Sequence, residues 1–451
     1  MPFVWSCSTI NPRSPEIIVA ELEIPKQSVS SINIPIKINL APYFEETEKS
    51  VPKKFTGNEK TCEGVSFSYK FLREPIVFDG RGSELYFDVD GKYALNINYC
   101  VKCVDPFGYG PSCATPRIYA SCGIDEPMRK IHVGYETKIG LSDHYKLTSH
   151  TKLRGVKALS PCQITVINYD ATETLEEEVA TALKAIEKDI DKEISAVDLK
   201  PLMEDTWNLL QEPTNLEGYG FLYIRPSDIS VSDIKFNGDT ASLNAILEAH
   251  PTIYTGQTNL KQKRLPKLAK YKNSDGFDIT MDIYATYDSL SSILTQNIKG
   301  TEVILSGRKI VFGDIEVHGA SNRMIHLKVN FSGNKSGVLY LTGTPVFDTE
   351  HQHISFPDIA FDVDTKSALL KSAKWLFNKK ITEAIRESAS MDLKPYLDTL
   401  KTTLNESLNL ELDEGVFMKG AVEEVNIRLI HPKAEELHLR VHSTGKLELT
   451  M

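Results

Sequence analysis

Asp198-Leu199-Lys200-Pro201 recurs further along the chain as Asp392-Leu393-Lys394-Pro395, a displacement of 194 residues from 198 to 392. The same displacement carries Leu210 onto Leu404, Glu212 onto Glu406, and Asn215-Leu216 onto Asn409-Leu410. After a stretch of weaker similarity it still carries Leu243, Ala245 and Leu247 onto Leu437, Leu439 and Val441. A chance tetrapeptide does not hold register for so long. The chain therefore reads as two diverged copies of one unit, and a duplicated unit constrains architecture more than any motif present.

Working outward from the tetrapeptide, each copy opens with strict alternation: Ile32, Ile34, Ile36, Ile38 and Leu40 in the first, Phe277, Ile279, Met281 and Ile283 in the second. A period of two predicts a strand with one buried face. Pro35 sits among the outward positions, which predicts an edge strand. Short helical patterns follow at Pro42 to Ser50 and Tyr287 to Ile298, and then alternation predicts strands at Tyr86 to Val89, Ala94 to Tyr99, Ile131 to Thr137, Ile325 to Phe331 and Val338 to Thr342. Each copy next reaches an amphipathic helical stripe. Leu175, Val179, Leu183, Ile186, Ile190 and Ile194 form one, and Leu369, Ala373, Phe377, Ile381 and Ile385 the other. The tetrapeptide then starts a second helix, its Asp able to cap the first turn and its Pro tolerated there.

The copies differ in length. Ile38 to Asp170 spans 132 residues and the matching Ile283 to Asp364 spans 81, so the first copy carries an insertion. Cys100, Cys103, Cys113 and Cys122 fall inside it, and Cys62 and Cys162 flank it. Six cysteines fit three disulfides in an oxidising compartment, with a pairing that sequence leaves open. The Cys100-x-x-Cys103 spacing with Cys113 and Cys122 also permits a tetrahedral zinc site. The predicted organisation is an N-terminal segment over 1–30, a first α+β repeat over 31–256, a basic linker over 257–276 and a second α+β repeat over 277–451. From Gln257 to Lys272 the linker holds Lys261, Lys263, Arg264, Lys267, Lys270 and Lys272 without one acidic residue. Such a run is a solvated tether or a contact for an anionic membrane surface.

With 451 residues, 41% of them hydrophobic and 25% charged, the chain has the composition of a folded protein of more than one core. A net charge of −10 excludes a general nucleic-acid binder, which needs a positive field. No apolar run approaches the roughly 20 residues of a membrane-spanning helix. The opening Met1-Pro2-Phe3-Val4-Trp5-Ser6-Cys7 reads either as a frayed terminus or as the end of a secretion signal, with Cys7 as the lipidated residue of a bacterial lipoprotein.

A tandem unit of long helices against a strand-rich antiparallel sheet resembles the tubular lipid-binding superfamily, the architecture of bactericidal/permeability-increasing protein. At family level, Cys7-Ser8-Thr9-Ile10-Asn11-Pro12, the Ile32-to-Leu40 strand and the paired Asp-Leu-Lys-Pro helices look like the uncharacterised bacterial lipoproteins catalogued as domain of unknown function 4403. The resemblance implies two tandem repeats of a curved antiparallel sheet wrapped around long amphipathic helices, enclosing an apolar channel for acyl chains. It carries over no catalytic residue.

No nucleophile elbow, zinc-protease helix, phosphate loop or dinucleotide fingerprint occurs. His351 and His353, near Asp348 and Asp358, share one face of a strand and could seat a metal, but a turn rich in polar residues is the favoured reading. Asp88 and Asp90, and Asp362 and Asp364, offer paired carboxylates for acid–base work or Ca²⁺, against ordinary capping by Asp364 or Thr365. Trp207 and Trp375 belong on helices, in the core or against acyl chains. The candidate ligand-lining residues are Leu175, Val179, Leu183, Ile186, Phe377 and Ile381, with Trp375 at a rim; packing in a solid core is their alternative.

The expectation is thus a non-enzymatic protein of the bacterial cell envelope, an outer-membrane lipoprotein or periplasmic. It would sequester or transfer a lipid or another elongated apolar ligand, with no cofactor, no metal and no nucleic acid. The membrane is met through Cys7 or the basic linker. A surface scaffold with a solid core, binding protein or glycan, is the alternative, and an enzyme built on His351 and His353 a third.

Overall fold

The computed structural model describes residues 9–16, 24–105, 108, 110–164, 169–216, 220–305, 307–321, 323–372, 383, 386–387, 389–413 and 415–450. The alternating runs form the strands Ser30–Asn39 and Phe277–Thr286, and the helical patterns that follow them form α1 (Ala41–Ser50) and, in the second copy, Tyr287–Ile298. Between these two helices come α2 (Thr172–Ser195) and α3 (Lys200–Leu209), so Tyr287–Ile298 is α4; α5 (Val363–Ser372) and α6 (Lys394–Ser407) follow.

The echo is visible bond by bond. Asp198 Oδ1 accepts the Lys200 N–H at 3.0 Å, and Asp392 Oδ1 accepts the Lys394 N–H at the same distance. The next amide is also used alike: Leu199 donates to Tyr145 O and Leu393 to Gln352 O, both at 2.9 Å. Tyr145 and Gln352 are buried non-glycine residues at φ 65° and 53°. Each copy thus places a left-handed residue where its carbonyl meets the start of the second helix, a conformation that costs energy unless the surroundings fix it. Side chains follow. Met203, Leu210 and Leu247 pack in one cluster around Trp207, while Leu397, Leu404 and Val441, each displaced by 194, pack in another around Phe277.

The overall architecture departs from the expected one. Strand accounts for 52% of the structure and helix for 20%, around one large mixed sheet instead of an antiparallel sheet wrapped on long helices. Among the described residues that sheet has 17 strands. It is mixed because Ile36–Lys37 run parallel to Leu449–Thr450, and Thr252–Tyr254 parallel to Asp282–Tyr284. A separate antiparallel sheet of five strands lies within 302–361 and carries its own core around Ile310, Phe312 and Leu339. The long helix that was expected inside the sheet, α2, has no buried residue over its 24 positions and lies along the outermost strand, Leu147–Ala158. Amphipathic periodicity reports that one helix face is covered; it does not say whether sheet wraps the helix or the helix merely lies on sheet.

Ser30–Asn39 is not an edge strand either. It pairs along its full length with Thr240–Ala249, and its other side meets Phe277–Asp278 and Leu449–Thr450. Pro35 falls between those two short pairings, where its missing N–H removes no ladder bond. Upstream of this strand, Arg440 donates to Pro25 O, and Gln27 Nε2 donates to Pro251 O and Thr280 O. Ile10, buried at 3% exposure, bonds through its backbone to Ser336 and Val338. Gly337, at φ 149°, leaves the room this needs, since a Cβ there would strike Ile10 O.

One charged group sits deep in the large sheet. Asp282, 4% exposed, receives two bonds from Arg440, Nε to Oδ1 at 2.7 Å and a terminal nitrogen to Oδ2 at 3.0 Å, and His438 Nε2 lies 3.1 Å from Oδ1. Burial pushes the carboxyl up, but the bonds from His438 and Arg440 outweigh it and hold the pKa at about 2. A carboxylate with a depressed folded pKa contributes stability that is complete above its unfolded value and lost as pH falls through the folded one; here that is about 2 kcal/mol. Asp282→Asn is expected to lower stability at pH 7 by at least that much, with the gap to the parent narrowing between pH 4 and pH 2. Urea denaturation across that range measures it, and a gap independent of pH contradicts the assignment.

Candidate apolar ligand site

Strands Lys54–Glu59, Gly64–Gly82, Glu84–Cys100, Ile118–Cys122, Arg129–Leu141 and Leu147–Ala158 form one end of the large sheet. Their registers put successive rows of side chains on a single face. Val65, Tyr99 and Ile118 make the outermost row, then Phe67, Ile97 and Ala120, then Tyr69, Leu95 and Cys122, then Phe55, Phe71 and Tyr93. A bulge between Arg73 and Ile76 shifts the parity of one strand, and the face continues as Phe78, Phe87, Tyr135 and Leu153. Exposure is 51%, 41% and 50% in the first row and 6% at both Tyr93 and Tyr135, while Tyr69 and Phe55, on the side toward Lys54–Glu59, remain exposed at 40% and 37%.

Two helices flank this face. Phe44 of α1 stacks on Phe78 with ring centroids 4.4 Å apart, and Phe87 stacks on Tyr135 at 5.1 Å. Arg73 ties down the C-terminal end of α1 by donating to Glu48 O, Val51 O and Pro52 O and pairing with the Glu48 carboxylate. Backbone N–H donation from Ile76, and then Arg73, hold that carboxyl below its usual range. On the far side α2 covers the edge. Among the described residues Leu147–Ala158 pairs with Arg129–Leu141 alone, so its outward N–H groups need other acceptors. Asp191 accepts from Thr151 N at 2.9 Å, Glu187 from Leu153 N at 2.8 Å and Glu176 from Ala158 N at 2.6 Å.

Glycines shape the floor between the helices. A Cβ at Gly57 would strike the Tyr69 ring, and one at Gly91 the Phe71 ring, so both rings lie down over bare backbone instead of standing off the sheet. The result is a shelf with aromatic faces turned outward.

Of the residues marked from sequence, Leu175 and Val179 come together, half-buried against Tyr93, Leu95, Cys122 and Ile131. Leu183 is half-buried, and its carbonyl accepts the Tyr135 hydroxyl at 3.2 Å. Ile186 is 41% exposed. Trp375, Phe377 and Ile381, together with Cys7, lie outside the described residues. The shelf residues Phe67, Tyr69, Phe71, Phe78 and Phe87 escaped the sequence reading. Their signal was the alternation on 67, 69 and 71, and the bulge breaks it before 78.

The cysteines pair as Cys62–Cys103, Cys100–Cys113 and Cys122–Cys162, with Cα atoms 5.6 to 5.8 Å apart. Pairing takes the cysteines out of the zinc alternative and assigns the protein to an oxidising compartment, extracellular or periplasmic. Cys162, disulfide-linked to the shelf, also bonds Ala171 and Thr172 at the start of α2. Among the described residues no group of three or more His, Cys, Asp and Glu could hold a metal. Asp348 accepts the Glu350 and His351 N–H groups and meets His351 Nδ1 at 2.8 Å, which makes a polar turn and raises the His351 imidazole pKa. Asp88 and Asp90 point to the opposite face of the sheet, where His132 and Arg154 pair with them. Asp362 caps α5 by accepting the Asp364 N–H, and Thr365 accepts the Tyr340 N–H. Trp207 is core, 1% exposed with Nε1 donating to Lys263 O.

Two clefts, of about 680 and 450 Å³, lie beside the 257–276 linker; the first is lined mostly by polar groups and the second has Ile229, Ile246 and Ala269 among its lining, and neither touches α2. With Val65, Tyr69, Tyr99 and Ile118 exposed, the apolar surface at this end of the sheet is an open shelf, which differs from the enclosed channel expected. Because α2 is held by side chains on backbone amides, Glu187→Ala with Asp191→Ala is expected to speed hydrogen exchange at the Thr151 and Leu153 amides by at least tenfold. Amide exchange followed by NMR measures this; unchanged protection means that α2 does not seal the edge.

The family model described as "Domain of unknown function (DUF4403)" matches residues 28–451. Among solved structures the chain is similar to a crystal structure of lipopolysaccharide binding protein, at 9% identity, covering 93% of this chain and 99% of that one, with a TM-score of 0.25. It is also similar to P47 from Clostridium botulinum A2, at 8% identity, covering 93% and 97%, with a TM-score of 0.23. At those scores neither likeness bears on the fold or on a ligand. No curated protein matches.

Proposed function

The chain belongs to the DUF4403 family, and we propose that its aromatic shelf binds a lipid acyl chain or a similar elongated apolar ligand without chemical conversion. The observation that carries this reading is the exposed aromatic surface. Apolar rows run from an open rim at Val65, Tyr99 and Ile118, stay exposed at Tyr69 and Phe55, and reach buried Tyr93 and Tyr135 beside α2, with Arg73 and Arg129 the charged residues on the same face. A packed core has no reason to continue outward as half-exposed Phe and Tyr, and a contiguous exposed apolar patch of this kind marks a binding surface.

An apolar chain would lie on the rings of Phe67, Tyr69 and Phe71 and pass inward toward Leu175 and Val179. Each methylene removed from water contributes about 0.8 kcal/mol, so partial cover of a long chain suffices for micromolar affinity. The open rim lets the ligand leave as it came, which suits sequestration or transfer. In the oxidising compartment that the disulfides imply, a bacterial cell envelope supplies such ligands.

A displaceable fluorescent fatty-acid probe tests the reading, supported by native mass spectrometry of protein from its own host. The parent is expected to bind the probe, Phe67→Ser with Tyr69→Ser to weaken binding about tenfold or more, and Tyr119→Ser, on the opposite face, to leave it unchanged. A parent that fails to bind, or a double variant that binds equally well, overturns it. In that event the exposed rim is a surface for protein, as in the scaffold alternative.

A further inference from the structure

The basic linker is not a free tether. The Lys263 N–H donates to Gln211 Oε1 at 2.6 Å, and its carbonyl accepts from Trp207 Nε1 at 2.8 Å and Gln211 Nε2 at 2.9 Å. Pro266 O accepts the Tyr145 hydroxyl at 2.7 Å. The Leu268 and Ala269 amides donate to Asp143 O and Ile229 O. Leu265 and Leu268 pack against Trp207, Ile229 and Leu247. The segment is therefore fixed in an extended form along the first repeat, apolar side chains inward.

That arrangement sends the cations outward. Lys261, Lys263, Arg264, Lys270 and Lys272 are all exposed, and among the described residues none of the five meets a carboxylate within ion-pair distance. Lys267 alone is paired, with Asp143 at 3.1 Å. Five positive charges outside any ion pair, held on one strip in a chain of net charge −10, repel one another and attract counter-charge from outside; Asp228 and Glu248 line the cleft that Lys270 and Lys272 also line. Because the backbone is already ordered, a partner has little conformational entropy to overcome.

We propose that this strip docks the protein on an anionic lipid bilayer. From Lys261 to Lys272 an extended chain reaches roughly 35 Å, far beyond one phosphate and comparable to several headgroups. Nucleic acid fits less well: Tyr271 is the one aromatic residue in the run, so stacking platforms are missing, and the disulfides assign the protein to a compartment outside the cytosol. The inference stands on the linker's own bonds and is independent of the aromatic shelf.

The test is co-sedimentation of the full chain with vesicles of phosphatidylcholine alone or with about 30% phosphatidylglycerol as the anionic probe, close to the charge density of a natural anionic leaflet. The parent is expected to bind the anionic vesicles only, and less as salt rises. Replacing Lys261, Lys263, Arg264, Lys270 and Lys272 together by Gln should lower partitioning by on the order of a hundredfold or more, since each basic residue near such a surface contributes about fivefold. None of the five side chains holds the fold, so the variant's melting temperature and fatty-acid probe binding should match the parent's. Equal binding to both vesicle types, or undiminished binding by the variant, overturns the proposal. So does binding to a sulfated glycan with none to either vesicle.

Discussion

A strand that ends a sheet leaves alternate N–H groups without partners, and the first half of this protein is organised around satisfying one such row. Leu147–Ala158 is the outermost strand, and α2 answers it with Glu176, Glu187 and Asp191, spaced so that all three carboxylates share one side of the helix. The apolar stripe of α2 is adjacent, so sealing the edge also lowers Leu175 and Val179 onto the sheet. Cys122–Cys162 holds the start of the helix to the same sheet, closing a 40-residue separation; a loop of that size constrains the unfolded chain by about 4 kcal/mol. From this seal follow the position of α2, the burial of Tyr93 and Tyr135, and the limit beyond which the aromatic face stays open.

The same arrangement explains why the site is a shelf. A helix carried on the rim can cover only the strands next to it, and α1 contributes a single ring stack on the other side. Between them Gly57 and Gly91 let Tyr69 and Phe71 lie flat. A surface of that shape offers apolar area and few directional polar partners. The cationic strip is the opposite case, with ordered backbone, directed charges and no apolar surface presented.

Much of the framework was legible in the residues themselves. The 194-residue echo marks positions whose side chains occupy equivalent cores, as Met203 and Leu397 do. Alternation located the strands Ser30–Asn39 and Phe277–Thr286, and the stripe from Leu175 to Ile194 located α2. Period alone misled on relations between elements. Pro35 suggested an edge because a missing N–H is usually harmless only there, whereas an interior strand with interrupted pairing tolerates it as well. The aromatic rows were hidden because each row is assembled across neighbouring strands whose register no single-strand period records, and the bulge at Arg73–Ile76 conceals the common face.

What the sequence determined by itself was therefore local and periodic: which segments are strand or helix, that the unit occurs twice, that six cysteines gather in the first copy, and that one acid-free run carries six cations. These depend on intervals of two, three or four residues, or on composition, and such information survives in a linear string. Tertiary structure decided the rest: which cysteines pair, that α2 lies on the sheet's rim, that the linker is bound down, and that Val65, Tyr99 and Ile118 share a row. Those outcomes turn on which strand lies beside which, and pairing between distant segments is set by the joint packing of the whole chain, for which no single interval in the sequence is a record.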